Sequence, residues 1–326
     1  MNKTNRSILK QLGLAVTIAF AATAPQAAAD SQPLMVVVPF GPGGSSDLVA
    51  RHITQHMAAE LKRNVVIDNR PGATGAIGAS SVARSAPDGN TMLIASIGVF
   101  AINPAIQPKL SYNPQTDFTL LTEAVRTPNV LVTRAGFPVS NVKELIAMLK
   151  QSPGAVSFAS GGLGSSEHLN TELFWQETKT EGLHVPYKGS GQAVSDLLAG
   201  HADVGFLNLS AVSPHIKSGK LQALAITSKA PSSLLPDVPT MAQAGIGGLE
   251  VYSWQGVAVP RKVDPQIAGT LQQAVFRSLR DPEIEKKLIA QGFEVVASSQ
   301  KDFEAFVVQE NDRWKKVVTT ANIKID

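Results

Sequence analysis

MVVVPFGPGGSSD, residues 35–47, joins a short apolar run to a loop with three glycines and the expected start of a helix. The apolar residues 35–38 predict a buried strand that stops at Pro39, and the helix should begin within residues 45–47. Such a loop brings the unpaired N–H groups of a helix N-terminus to the end of a strand, where they favour an anion. From the residues alone, a tight turn that needs positive φ angles explains the glycines equally well.

The loop does not match the fingerprints of nucleotide-binding proteins. Gly41 and Gly43 are followed by Ser46 where a dinucleotide-binding loop has its third glycine. The Gly-Lys-Ser/Thr sequence of a P-loop is absent here and from the related loop at residues 160–166. The sequence therefore argues against a nucleotide at this loop.

The same order of elements recurs about 120 residues later in the chain. An apolar run at 156–159 leads into Ser160-Gly161-Gly162-Leu163-Gly164-Ser165-Ser166, which opens a helix with Leu169 and Leu173 on its inner face. Strand-like runs alternate with helical patterns nearly throughout, which predicts an α/β fold with mainly parallel sheets. Further helices are expected at 47–62, 74–85, 141–151, 191–199, 210–217, 264–279, 282–291 and 301–319. Further extended runs are expected at 65–68, 91–96, 120–125, 129–133, 184–187, 203–207, 221–227 and 250–259. A loop is expected at Gly98, Asn103 and Pro104.

The first 29 residues have the organisation of a cleaved secretory signal peptide. Three basic residues precede an apolar run at 12–22, and Ala27-Ala28-Ala29 fits a cleavage site before Asp30. An N-terminal membrane anchor is disfavoured, because the run is shorter than the ~20 residues that span a bilayer. Removing this segment lowers the 29 basic residues to 26, equal to the 26 acidic ones. A neutral chain without a basic stripe argues against a nucleic-acid partner, and the lack of cysteine excludes disulfides and thiolate chemistry.

Several segments carry a family resemblance. They are Val38-Pro39-Phe40 with Pro42-Gly43-Gly44 and Asp47, Asn69-Arg70-Pro71-Gly72-Ala73 with Gly75, Ala86-Pro87-Asp88-Gly89, Ser160-Gly161 with Gly164-Ser165 and His168, Val185-Pro186-Tyr187-Lys188-Gly189, Asp196-Leu197-Leu198-Ala199-Gly200, Pro214-His215-Ile216 with Gly219-Lys220, and Leu235-Pro236-Asp237-Val238-Pro239-Thr240. In this order they resemble the substrate-binding receptors of tripartite tricarboxylate transporters, also called Bug-type receptors. The resemblance implies a two-lobed type II periplasmic-binding-protein fold, in which each lobe is a mainly parallel sheet flanked by helices and two hinge strands join the lobes.

The expected domain organisation follows from where the chain crosses between lobes. We predict lobe 1 at residues 30–130 and 251–326, and lobe 2 at residues 131–250. The resemblance implies a periplasmic, monomeric receptor that binds a small organic acid or related metabolite between the lobes and delivers it to a membrane permease. A sensing partner of a signalling receptor would use the same cleft, and the sequence does not separate the two roles.

The predicted ligand-binding residues lie in loops of both lobes, where backbone N–H groups and hydroxyls are expected to bind a carboxylate. They are Phe40, Gly41, Gly43, Gly44, Ser45, Thr74 and Gly75 in lobe 1, and Ser160, Gly161, Gly164, Ser165, His168, Tyr187, Lys188 and Asn208 in lobe 2. Ser165 or Ser166 should cap the helix that follows. Trp254 is a candidate for the wall of the pocket or for the core. Lys188 either contacts the ligand or is solvated on the rim.

Three features argue against other functions. His52 and His56 have the i, i+4 spacing of metal ligands but no evident third ligand, so neither a metal nor another cofactor is expected. A secreted serine hydrolase would need a Gly-x-Ser-x-Gly elbow, and residues 164–168, Gly-Ser-Ser-Glu-His, lack the second glycine. The sequence therefore favours a receptor over an enzyme. Leu207 stands where the family often has an acid, which disfavours an amino acid as the ligand.

Overall fold

The computed structural model describes residues 32–323; the predicted signal peptide lies outside the described residues. The strands and helices follow in the order β1 (Leu34–Val38), α1 (Ser45–Leu61), β2 (Val65–Asn69), α2 (Ala76–Ala83), β3 (Thr91–Ser96), α3 (Asn103–Ile106), β4 (Phe118–Arg134), α4 (Val142–Gln151), β5 (Ser157–Ser160), α5 (Ser166–Thr178), β6 (Leu183–Pro186), α6 (Ser190–Ala199), β7 (Val204–Asn208), α7 (Leu209–Lys217), β8 (Leu221–Ile226), β9 (Tyr252–Pro260), α8 (Pro265–Leu279), α9 (Pro282–Ala290), β10 (Glu294–Val295) and α10 (Gln300–Ala321). A 3₁₀ turn, Ala73–Gly75, precedes α2, and a π-helical segment, Gly98–Ile102, precedes α3.

The long strand β4 joins two sets of strands, which we call the first and second sheets. In the first sheet, residues 118–128 of β4 pair with β9, β9 pairs with β3, and β1 lies between β3 and β2. In the second sheet, residues 129–134 of β4 pair with β7 and β8, and β5 lies between β7 and β6. Pairing is parallel among β1, β2 and β3 and among β5, β6 and β7, as predicted.

The pairs that involve β4 and β9 are antiparallel, so the sheet is mixed rather than mainly parallel. Loops that follow the parallel strands of both sheets line one cavity, so the carboxyl ends of these strands face each other. A strand that runs in the direction of the parallel strands in the sheet it leaves therefore runs antiparallel to the parallel strands in the sheet it enters. The mixed pairing is therefore a consequence of how the chain crosses between the sheets.

The helices start and pack as their sequences require. In α1, Val49, Ile53 and Met57 are fully buried, so the i, i+4 apolar stripe faces the core. Side chains cap several helices by accepting a backbone N–H of the first turn; the caps are Asn141, Ser165, Asp264, Asp281 and Ser299. The predicted cap at Ser165 is thus confirmed. Among the described residues, no helix is both long and apolar enough to cross a bilayer.

Two predictions of local structure were wrong. The segment expected to be a loop is helical from Gly98–Ile102 into α3, and its residues 99–103 are all fully buried. Burial on every side removes the polar–apolar periodicity that would have indicated a helix. The two runs expected at 120–125 and 129–133 form one strand. Pro128, between the two runs, is the last residue of β4 to pair with β9, and Asn129 is the first to pair with β7.

Candidate functional site

A cavity of about 950 Å³ lies where the carboxyl ends of the strands in the two sheets meet. Loops after β1, β3, β5, β6 and β7 contribute most of its lining, and β9 contributes Ser253 and Gln255. The structure brings most of the predicted site residues together in this lining: Phe40, Gly41, Gly43, Gly44, Ser45, Thr74, Gly161, Gly164, Ser165, Lys188 and Asn208. Gly75, Ser160, His168 and Tyr187 lie outside it.

Asp47 holds the glycine loop after β1 in place. Its carboxylate is fully buried and accepts hydrogen bonds from the Gly43 N–H at 2.8 Å, Arg51 Nε at 2.7 Å and Asn69 Nδ2 at 3.0 Å. Burial acts to raise the pKa of Asp47, but these donors outweigh burial and hold the pKa below its usual range. The expectation that Gly43 offers its N–H to a ligand is therefore corrected, because that N–H already has an acceptor.

The first turn of α1 supplies the donors that Gly43 does not. Gly44 is the N-cap residue and has no side chain, so no side-chain acceptor caps this turn among the described residues. Ser45 and Ser46 follow it in the cavity lining. The Ser46 hydroxyl donates to Gln255 Oε1 at 2.5 Å, which ties α1 to β9 across the cavity floor. Orphan N–H groups at a helix N-terminus favour a negative charge nearby.

The 3₁₀ turn at Thr74 forms another wall in a strained conformation. Ala73 and Thr74 have φ angles of 46° and 52°, which residues with side chains rarely adopt. The Thr74 hydroxyl hydrogen-bonds to Asn103 Oδ1 at 3.0 Å, and Asn103 Nδ2 donates back to the Thr74 carbonyl at 3.1 Å. Gly75 packs under Phe40, because a Cβ added to it would lie 3.1 Å from Phe40 Cζ. Gly75 thus supports a lining residue without lining the cavity itself.

Glu167, in the first turn of α5, binds the loops of the second sheet together. Its Oε2 accepts the Gly161 N–H, while its Oε1 accepts the Ser190 hydroxyl at 2.6 Å and the Asn208 N–H at 3.4 Å. The residue is only 2% exposed, although it lines the cavity. Burial raises the pKa of Glu167, against the opposing effect of its three hydrogen-bond donors. The expectation that the Gly161 N–H serves a ligand is corrected for the same reason as at Gly43.

Two more predicted residues of the second sheet make internal contacts. The N–H of Gly164 donates to His168 Nδ1 at 3.1 Å, and the backbone N–H of His168 donates to Ser165 Oγ at 3.2 Å. The His168 ring stacks on the ring of His184 with centroids 4.0 Å apart. The predicted donor at Gly164 is therefore occupied, and His168 supports the loop from behind.

A serine–histidine pair lies next to this loop but is closed to the cavity. Ser160 Oγ and His184 Nε2 are 2.7 Å apart, and Ser160 is fully buried. Burial, together with His168, lowers the pKa of His184 to about 3, so the imidazole stays neutral. The Tyr187 hydroxyl turns away as well and donates to Asp196 Oδ2 at 2.7 Å.

Several lining residues were missed by the sequence analysis. They are Ser46, Ser96, Gly98, Asn103, Glu167, Ser190, Ser210, Ser253, Gln255 and Gln291, with other small or apolar residues around them. Alternation along β9 was a usable signal, because polar Ser253 and Gln255 interrupt a strand that is otherwise suited to the core. Trp254, between them, belongs to the core: it is fully buried and its Nε1 donates to Glu310 Oε2 at 3.0 Å.

The histidines with metal-ligand spacing have ordinary partners. His52 Nε2 lies 3.2 Å from Gln291 Oε1, and His56 Nδ1 lies 3.0 Å from Ser278 Oγ. Within residues 32–323, no group of three or more His, Cys, Asp or Glu residues could hold a metal ion.

Proteins of one kind resemble this chain over nearly its whole length. The family model of the tripartite tricarboxylate transporter family receptor matches residues 49–323. Protein BugT of Bordetella pertussis (strain Tohama I) is 36% identical over 316 residues, which cover 96% of this chain and 97% of that protein.

Two solved structures also resemble this chain in fold. Rpa4515 of R. palustris with adipate has a TM-score of 0.83 and 36% identity, and the match covers 90% of this chain and 99% of that one. MatC (Rpa3494) from Rhodopseudomonas palustris with bound malate has a TM-score of 0.80 and 32% identity, covering 88% of this chain and 98% of that one. The predicted two-lobed periplasmic-binding-protein fold is thereby confirmed.

Proposed function

Because the chain belongs to the tripartite tricarboxylate transporter family of receptors, we propose that it binds a small carboxylate in the cavity between the two sheets and delivers it to a membrane permease. The observation that carries this proposal is the uncapped first turn of α1, which lines the cavity with Ser45 and Ser46. Structures of two relatives contain adipate and malate, both carboxylates. The matching family is one of receptors, and we propose no catalytic step for this chain.

The ligand carboxylate binds at the N-terminus of α1, where backbone N–H groups and the Ser45 hydroxyl donate to it. Lys188 lies across the cavity and contributes the positive charge among the lining residues. It is exposed and forms no ion pair with any described residue, so its ammonium group is free to reach a ligand. The predicted site residues that line the cavity complete the contact surface.

Closure of two lobes around the ligand follows from this arrangement. We keep the lobes as predicted, residues 30–130 with 251–326 and residues 131–250, and place the hinge where β4 changes partners at Pro128. A ligand drives closure only if it binds the closed form more tightly, which requires contacts from both lobes. Donors on α1 and Lys188 on the loop after β6 meet this requirement.

Receptors of this family are periplasmic. We place this chain there as a monomer, after removal of the signal peptide before Asp30. Its partner is the permease of a tripartite transporter.

The test is binding of carboxylates to the purified mature chain. Isothermal titration and thermal shift with mono-, di- and tricarboxylates should identify acids that bind and stabilise the protein, because stabilisation grows with the ratio of ligand concentration to Kd. Gly44→Phe, which places a ring in the cavity at the N-cap of α1, should abolish binding and leave a folded protein. Gly247→Phe is the matched control, since nothing lies within 4 Å of a Cβ added at this exposed glycine. Absence of binding by every acid, or full binding by Gly44→Phe, would refute the proposal.

A further inference from the structure

Three donors in the loops of the second sheet are already used by one of the protein's own carboxylates, that of Glu167. Gly161 N–H, Ser190 Oγ–H and Asn208 N–H come from the loops after β5, β6 and β7, and all three donate to Glu167. Glu167 is itself 2% exposed and lines the cavity. The side chain thus occupies, in the second sheet, the kind of position that a ligand carboxylate would take.

The charges in the cavity reinforce this arrangement. Lys188 and Glu167 are the only Lys, Arg, His, Asp or Glu residues in the cavity lining within the described part of the chain. They have opposite sign, so with both ionised the lining has no net charge. One ligand carboxylate can bind at α1 with Lys188 nearby. A second carboxylate placed beside Glu167 finds the Gly161, Ser190 and Asn208 donors already used, and the lining within the described part of the chain has no second cation.

We propose, on the basis of the proposed function, that Glu167 restricts the ligand to acids with one carboxylate and a far end that is neutral or donates hydrogen bonds. The far end then faces Glu167 and the neighbouring Asn208 side chain. A hydroxyl or ammonium group there can donate to these oxygens, whereas a second carboxylate only accepts. The buried Asn208 Oδ1 has no hydrogen-bond partner among the described residues, so it offers a further acceptor for such a group.

Donor occupancy and charge repulsion together set how strongly Glu167 disfavours a second carboxylate. Occupied donors disfavour a second carboxylate whether or not Glu167 is ionised. When Glu167 is ionised, two like charges about 6 Å apart at an effective dielectric constant of about 20 repel by an amount equal to roughly a hundredfold in affinity. Replacing Glu167 should therefore change the relative affinity for mono- and dicarboxylates by about two orders of magnitude.

The experiment uses ligand pairs that differ only at the far end. Adipate is compared with 6-hydroxyhexanoate, and succinate with 4-hydroxybutyrate, by isothermal titration with the mature chain. For the unaltered protein we expect the hydroxy acid of a pair to bind at least about 10-fold more tightly than the diacid. Preference for the diacids would overturn this inference and leave the proposed function standing. Failure of every acid to bind would overturn both.

Two variants separate the contributions of charge and donor occupancy. Glu167→Gln removes the charge but keeps an acceptor for the donors, and should shift the ratio of the two Kd values by up to about 100-fold towards the diacid. Glu167→Ala also frees the donors and should shift this ratio further in the same direction than Glu167→Gln does. Glu177→Gln is the matched control, because Glu177 is exposed on the same helix and lies outside the cavity lining. An unchanged ratio in Glu167→Gln and in Glu167→Ala would overturn the inference.

Discussion

Glu123, on β4, should make the protein less stable as the pH rises to neutrality. The side chain is 5% exposed, and its Oε1 has no hydrogen-bond partner among the described residues. Burial raises the pKa of Glu123 from 4.5 to about 7; Arg126 acts against this rise, and the charges of Glu310 and Glu294 add to it. The folded state therefore holds a proton that the unfolded chain releases at lower pH.

The sign and size of the effect follow from linkage. From about pH 4.5 to about pH 7 the folded state binds more protons than the unfolded state, so the free energy of unfolding falls as pH rises. A pKa raised from 4.5 to about 7 corresponds to a loss of about 3 kcal/mol, which is complete above pH 7. The glutamine in Glu123→Gln does not titrate and removes this loss. Relative to the unaltered protein, the variant should gain about 2 to 3 kcal/mol of stability between pH 5 and pH 8.

The assay is urea unfolding of both proteins at pH 5, 6, 7 and 8, followed by tryptophan fluorescence. Glu304→Gln is the control, because Glu304 is exposed on α10 and its replacement should have a similar effect at every pH. A difference between Glu123→Gln and the unaltered protein that is the same at pH 5 and pH 8 would refute the reasoning about Glu123.

Three further predictions test the packing around the cavity. Asp47→Asn removes the charged acceptor that holds Gly43 N–H and should weaken ligand binding by at least about 10-fold in isothermal titration; an unchanged Kd would contradict the role given to Asp47. Gly256→Ala places a Cβ against the Phe303 ring, closer than van der Waals contact allows, and should lower the free energy of urea unfolding by about 1–3 kcal/mol, whereas full stability would contradict that packing. Ser160→Ala breaks a buried hydrogen bond and should cost about 1 kcal/mol of stability with little change in Kd; lost binding would show that Ser160 contributes to the site.

The elements next to the site could be predicted because their signals are local. β1, its glycine loop and α1 are encoded within one short stretch, and the same order at residues 156–166 gave β5 and α5. The capping serine at 165 and the buried stripe of α1 also depend on residues a few positions apart. Such contacts follow from strand and helix geometry alone.

The hydrogen bonds inside the site could not be predicted in the same way. Glu167 is 6 residues from Gly161 but 23 from Ser190 and 41 from Asn208, so its role exists only after three loops have met. An acid in the first turn of a helix is also common for electrostatic reasons, so the position of Glu167 in the sequence did not indicate a role in the site. Glycines alone predicted free N–H groups, and only the fold shows which of these groups the protein itself uses.

The position of β9 sets the order in which the molecule can assemble. β9 lies between β3 and β4, yet it follows every strand of the second sheet in the chain. A nascent chain that ends before residue 252 has both neighbours of β9 but not the strand that joins them, so the core of the first sheet cannot close. Such long-range pairing also makes folding slow. For the periplasmic location that we propose, this delay is useful, because the N-terminal part of a chain that is still crossing the membrane becomes able to fold only when the chain is nearly complete.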